Sequence, residues 1–143
     1  MTMVRFARDN EDMANRSRDW FVQAERDLAH ASHDARDDAH EWACFVSQQA
    51  AEKAVKALHL WLGQEAWGHT ISKLLEELPI DAGGLVEKGR VLDNYYVATR
   101  YANGHPDGAP FEHYGPLQSD VAIAYAGEIV AFVRARLAEP AAG

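Results

Sequence analysis

Between Arg100 and Tyr114 the chain collects residue types able to break a phosphodiester without a metal ion. Arg100-Tyr101-Ala102-Asn103-Gly104-His105 sets a permanent guanidinium charge and an imidazole with four residues between them. Attack by a neighbouring 2'-hydroxyl needs a group to take the hydroxyl proton, a group to protonate the leaving oxygen, and a cation for the charge that builds at phosphorus. Imidazole titrates near neutrality and suits either proton role, while guanidinium offers a bidentate fork to phosphate oxygens. Arg100 and His105 are of the residue types this chemistry needs. Tyr101, Asn103 and Tyr114 flank them as candidate contacts to RNA or a nucleotide, because aromatic faces stack on bases. This chemistry calls for no metal and no cofactor.

On a continuous helix five residues turn a side chain about 140° beyond a full turn, which would separate Arg100 from His105. The chain carries its own break, since Asn103-Gly104 favours left-handed backbone and Pro106 keeps His105 out of the helical region. His105 can then fold back toward Arg100 from a stiff turn. A plainer reading has Arg100 capping carbonyls at a helix C-terminus and His105 solvated in a loop. Tyr95, Tyr96, Tyr101 and Tyr114 likewise either offer stacking faces or simply pack.

The elements that must position these residues are helical. Ser17 is placed to N-cap a helix carrying Trp20, Phe21, Ala24, Leu28 and Ala31, which ends between His33 and Arg36. A second helix runs from Trp42 through Phe45, Ala50, Ala54 and Leu58 to Leu62, with Gly63 as its stop. A short one starts near Thr70 and is broken by Pro79, and a fourth follows Gly83-Gly84 and reaches about Arg100. Gly115-Pro116 opens the last, through Leu117, Val121, Tyr125, Phe132 and Leu137. Apolar residues follow the helical period throughout, which predicts an all-α fold without a β-sheet: an antiparallel four- to five-helix up-and-down bundle. The organisation expected is a flexible N-terminal tail over 1–16, one bundle over 17–138 and a flexible tail over 139–143.

The chain has 143 residues, enough for one core without disulfide or metal staples. Cys44 is a single cysteine in an apolar helical pattern, so it reads as a small buried hydrophobe. The residues from Met1 to Asn15 contain no long apolar run, which predicts a cytoplasmic protein with no membrane anchor. A net charge of -8 excludes a general nucleic-acid coating role, although a few cations at one phosphate suffice for a cleavage site.

Ser47-Gln48-Gln49-Ala50-Ala51-Glu52-Lys53-Ala54-Val55-Lys56-Ala57, then Gly68-His69-Thr70 leading to Leu74-Leu75, then Leu92-Asp93-Asn94-Tyr95-Tyr96 and Thr99-Arg100-Tyr101, stand in an order that resembles the HEPN family of prokaryotic helical-bundle proteins. The resemblance spans about residues 17 to 138 and implies a dimeric bundle, often encoded beside a minimal nucleotidyltransferase as a toxin and antitoxin pair. Many such proteins are metal-independent ribonucleases marked by Arg, four to six residues, then His, and Arg100 to His105 fits the shortest spacing. Tyr101 after the arginine looks closer to a branch reading Arg-Tyr-Pro-Asp or Arg-Tyr-Pro-Asn, with Ala102 in the proline's place.

Two functions follow as expectations. One is a toxin-like endoribonuclease acting on single-stranded RNA as a homodimer, with a small nucleotidyltransferase as antitoxin. The alternative is a non-catalytic module that binds a nucleotide or the nucleotidyltransferase through the same loop. A purely structural dimer would need nothing beyond the bundle.

Other polar groups invite blander readings. His30 and His33, with Asp37 and His40 beyond, lack a third ligand on one helix face and read as a solvated helix end rather than a metal site. His69 reads as ordering a helix junction. Gln48 with Glu52, and Gln49 with Lys53, suit i,i+4 pairs on a helix surface. Gly83-Gly84 lacks the lysine and preceding strand of a phosphate-binding loop.

Overall fold

Five α-helices account for most of the residues described by a computed structural model of the chain, which covers 3–6 and 10–139. They are α1 (Asn10–Arg36), α2 (His40–Trp61), α3 (Ile71–Glu76), α4 (Leu85–Asp93) and α5 (Pro116–Leu137). The all-α bundle anticipated from the periodicity is the fold observed. Its centre is α2, which packs against both α1 and α5. Ala43, Ala50, Ala51, Ala54 and Ala57 of α2 are fully buried, and side chains this small let the neighbouring helices approach closely. Phe21, Leu58, Leu74, Leu92, Ile129 and Val133 fill the core around them.

Chain reversals obey local chemistry. Asp38 turns α1 into α2 with φ of 60°, a left-handed geometry that aspartate tolerates better than most residues. Gly63, at φ of 88°, ends α2 as expected. Gly115 and Pro116 open α5, where the Gln118 carboxamide accepts the Gly115 N–H at 2.8 Å.

The structure corrects four expectations. α1 begins at Asn10, so residues 10–16 belong to the bundle rather than to a tail, whereas residues 1–2, 7–9 and 140–143 lie outside the described residues. Ser17 consequently sits inside α1, where its buried hydroxyl donates to the Ala57 carbonyl at 2.7 Å instead of capping. Two short strands, β1 (Met3–Phe6) and β2 (Gln64–Trp67), form an antiparallel ribbon at the end of α2, with Val4 opposite Ala66. Four-residue strands give too short a pattern to compete with helical periodicity.

The fourth correction bears on the site. α4 stops at Asp93, and residues 94–100 wind on as turns in which Asn94, Tyr95 and Arg100 donate to carbonyls three residues back. Side chains take carbonyls that a continuing helix would use: the Thr99 hydroxyl donates to Tyr95 O at 2.7 Å, and the Arg100 guanidinium to Tyr96 O. Such local donors compete with the helical ladder and end it early.

Candidate functional site

Arg100 is half-buried at the end of this turn segment. Nε and Nη2 both donate to the Tyr96 carbonyl, at 2.8 and 2.6 Å, which is the capping geometry anticipated as the plainer reading. The guanidinium carbon lies 4.4 Å from the ring centroid of Phe45, 4.8 Å from that of Tyr96 and 5.1 Å from that of Tyr101. Three rings hold the cation by its apolar plane while Nη1 makes no hydrogen bond among the described residues. An anion can therefore meet a fixed donor edge, beside a Tyr101 ring that is half exposed.

His105 is fixed elsewhere. Its extended backbone, φ -130° and ψ 147°, is what Pro106 demands of it. Its Nε2 donates to the Ala98 carbonyl at 2.6 Å, and its ring stacks on His113 at 4.1 Å and meets the edge of Tyr114 at 5.7 Å. Among the described residues no hydrogen bond joins Arg100 to His105, and their ring neighbours are different sets. Asn103-Gly104 does turn the chain, yet through a 3-10 turn over Ala102–Gly104 rather than left-handed backbone. Gly104 serves close approach instead, since a Cβ there would stand 2.9 Å from the Ala98 Cα. Asn103 is exposed on this turn.

The four tyrosines divide the same way. Tyr96 and Tyr101 attend Arg100, while Tyr114 packs on the core and sets its ring against Tyr95 at 6.0 Å. Burial, assisted by the nearby Cys44, pushes the phenols of Tyr95 and Tyr114 above their ordinary range. Burial likewise pushes the Cys44 thiol up to about 12, as befits a small hydrophobe.

The Tyr96 ring that packs on Arg100 also carries a group that spacing did not assemble. His69, just before α3, stacks on Tyr96 at 4.4 Å with 17° between planes. Its Nδ1 lies 3.1 and 3.2 Å from the two carboxylate oxygens of Glu52 on α2. Glu52 is buried and also accepts from Lys56 Nζ at 3.0 Å and Gln48 Nε2 at 3.2 Å. Gln48 and Glu52 do form the i,i+4 pair, yet buried inside the bundle rather than on a helix surface, while Lys53 pairs with Asp27 and Gln49 donates to Gln48.

Two further bonds hold the His69 junction. Gln48 Nε2 donates to the His69 carbonyl at 3.1 Å. Asp93, at the end of α4, accepts the N–H groups of Ile71 and Ser72 at 2.6 and 3.3 Å and the Ser72 hydroxyl at 2.6 Å, a carboxylate on a helix N-terminus. Sequence reading passed over His113 and the capping role of Asp93. Asp93 does stand inside one of the segments that carried the resemblance, but its partner lies 22 residues back.

Within α1 His30 lies 3.4 Å from Asp34 and His33 bonds Arg36, whereas His40 reaches from α2 to Ser119 on α5. No group of three or more His, Cys, Asp or Glu among the described residues is placed to hold a metal ion. None of the described helices is long and apolar enough to cross a membrane.

Comparison with known proteins matches residues 17–136 to the HEPN domain family model. The chain is similar to the crystal structure of TT1696 from Thermus thermophilus, with 47% identity and a TM-score of 0.83 over 85% of this chain and 98% of that one. It is also similar to ST0689, described as an archaeal HEPN homologue, at 39% identity and a TM-score of 0.74 over 85% and 97%. A HEPN domain protein from Thermotoga maritima matches at 32% identity, with a TM-score of 0.65 over 85% and 98%. No curated protein matches.

Proposed function

The chain belongs to the HEPN domain family, and on that premise we propose that it is a metal-independent endoribonuclease acting on single-stranded RNA. The observation that carries this reading is Arg100, a cation held on three aromatic rings with its Nη1 edge open beside the exposed Tyr101. Phosphate binds the fork and a base stacks on Tyr101. His105, on the same loop, is the candidate acid for the leaving oxygen.

Purified protein incubated with single-stranded RNA in chelator tests the reading. Cleavage that Arg100→Ala and His105→Ala both depress supports it. Intact RNA across varied sequences, with the wild type matching the double variant, ends it.

A second reading is favoured by the bonds of the same residues. Arg100 and His105 each donate to a backbone carbonyl, Tyr96 O and Ala98 O, which suits a surface that binds a nucleotide without cutting. Tyr101→Ala should weaken RNA or nucleotide binding by about 1–3 kcal/mol under either reading, as expected for one lost stack. Tyr114→Ala, in a packed ring, should instead lower the melting temperature. Equal binding by wild type and Tyr101→Ala, in a fluorescence titration, removes the stacking role.

The assembly proposed is a homodimer with a small nucleotidyltransferase as antitoxin partner. Support for the dimer comes from Leu117, Val121 and Trp42, which leave 82%, 40% and 49% of their surface exposed. Sedimentation at micromolar concentration should give twice the chain mass, and co-expression with a neighbouring nucleotidyltransferase gene should suppress toxicity.

A further inference from the structure

We infer that His69, oriented by the buried carboxylate of Glu52, is the general base that takes the 2'-hydroxyl proton from RNA held at Arg100. The inference rests on the ribonuclease reading. Cleavage without a metal needs two proton carriers as well as a cation, and the segment from Arg100 to His105 supplies a single imidazole. His105 donates from Nε2 to the Ala98 carbonyl, stacks on His113 and meets the Tyr114 ring edge-on, sharing no ring with Arg100 among the described residues. His69 shares the Tyr96 ring with Arg100.

The tautomer follows from the bonding. A carboxylate only accepts, so Nδ1 of neutral His69 carries the hydrogen toward Glu52 and Nε2 carries the lone pair. That Nε2 makes no hydrogen bond among the described residues, and 54% of the side chain is exposed, while the Glu52 side chain is only 5% exposed. The charged and titratable groups around the imidazole are Glu52 from α2, with Lys56 behind it, and Tyr96 from the turn segment, with Arg100 also on that ring.

His59 shows what a structural histidine looks like in the same molecule. It is fully buried, and both ring nitrogens are engaged, Nδ1 with the Gln64 carboxamide at 2.9 Å and Nε2 with the Leu74 carbonyl at 2.8 Å. His69 departs from that pattern at the atom that matters. One nitrogen is anchored to a buried anion and the other makes no hydrogen bond among the described residues, the arrangement that orients an imidazole to accept a proton and stabilises the imidazolium formed.

In the step proposed, Nε2 of His69 takes the 2'-hydroxyl proton as the 2'-oxygen forms its bond to phosphorus. The bond from phosphorus to the 5'-oxygen breaks, and that oxygen leaves with the Nδ1 proton of a His105 that enters the step as imidazolium and keeps its Nε2 proton on the Ala98 carbonyl. The products are a 2',3'-cyclic phosphate and a 5'-hydroxyl, with His69 left as an imidazolium facing Glu52. Glu52 is a positioning residue.

The test uses the full chain and an end-labelled, mixed-sequence single-stranded RNA in chelator, with rates recorded against pH. His69→Ala should cleave on the order of a hundredfold more slowly. It should also lose the acid limb that marks the need for a neutral base, and regain rate when free imidazole is added. Glu52→Gln should be slower than wild type yet retain an acid limb. Overturning results are a folded His69→Ala within twofold of wild type, or a slow one whose acid limb is unchanged and which imidazole does not rescue. If wild-type protein cuts no RNA, the ribonuclease reading fails and takes this base with it. Cleavage that needs Arg100 but not His69 leaves that reading standing and removes the base alone.

Discussion

The cluster of Arg100, Phe45 and Tyr96, joined through the Tyr96 ring to His69 and Glu52, differs in construction from the loop carrying His105 and His113. The first is assembled from α2, the junction before α3 and the turn after α4, each tied by a side chain from another element, as Gln48 ties the His69 carbonyl and Asp93 the start of α3. The loop is tied mostly to itself, through His113 to the Asp107 carbonyl, the Ala109 N–H to Glu112 and His105 to Ala98. A site assembled on rigid helices holds its groups in fixed relation, whereas a self-bonded loop moves as a unit. Neighbours in sequence, Arg100 and His105, end up with separate partners, and residues far apart in sequence share one ring.

Arg100 should carry the largest effect. Arg100→Ala should reduce RNA cleavage on the order of a hundredfold or more, because the phosphorane loses its charge partner. Arg100→Lys should recover little, since an ammonium keeps neither the fork nor the flat packing on Phe45 and Tyr96. Single-turnover rates measure both, and a lysine variant with wild-type rate would contradict the fork.

The next largest effect falls on the junction. Asp93→Ala removes three hydrogen bonds at the start of α3 and should lower stability by about 2 kcal/mol in urea unfolding. Its cleavage rate should fall as well, because His69 stands just ahead of that helix. Unchanged stability would show that the cap is dispensable.

Loop disruption should matter less. Gly104→Ala places a Cβ against Ala98 and should cost about 1 kcal/mol while releasing His105 from the Ala98 carbonyl. Histidine exchange spectra should change for His105 and His113 and stay constant for His69. A shift at His69 would mean that the two regions are coupled.

Smallest at neutral pH is the effect of Cys44. A thiol pushed from its ordinary 9.0 to about 12 by burial favours the folded state fully below pH 9, and that contribution is lost as pH rises toward 12. Native protein should therefore resist alkylation at pH 8 and lose stability in alkaline solution. Fast labelling under native conditions would contradict its burial.

Helix identity was legible because long apolar repeats leave little choice of period, as in α2 and α5. Helix ends were less so. The true start of α1 lies seven residues before Ser17, whose hydroxyl meets Ala57, 40 residues away, in a contact that only packing creates. Arg100 was legible as a cation of interest, and its use of the Tyr96 carbonyl was one of the readings open. The Glu52–His69 pair was not, because it joins residues 17 apart across a helix, a ribbon strand and a turn. His69 and Glu52 both stood within segments that suggested the family, yet nothing local signals that they meet.

In the proposed ribonuclease, RNA lies over Arg100 and the rings of Phe45, Tyr96 and His69. Titration of labelled protein with a 2'-deoxy-substituted, uncleavable oligonucleotide, followed by nuclear magnetic resonance, tests it most directly. Predicted are shifts at the Arg100 Nε, the His69 ring and Tyr101. Shifts confined to residues 105–113, with Arg100 and His69 unmoved, would contradict it.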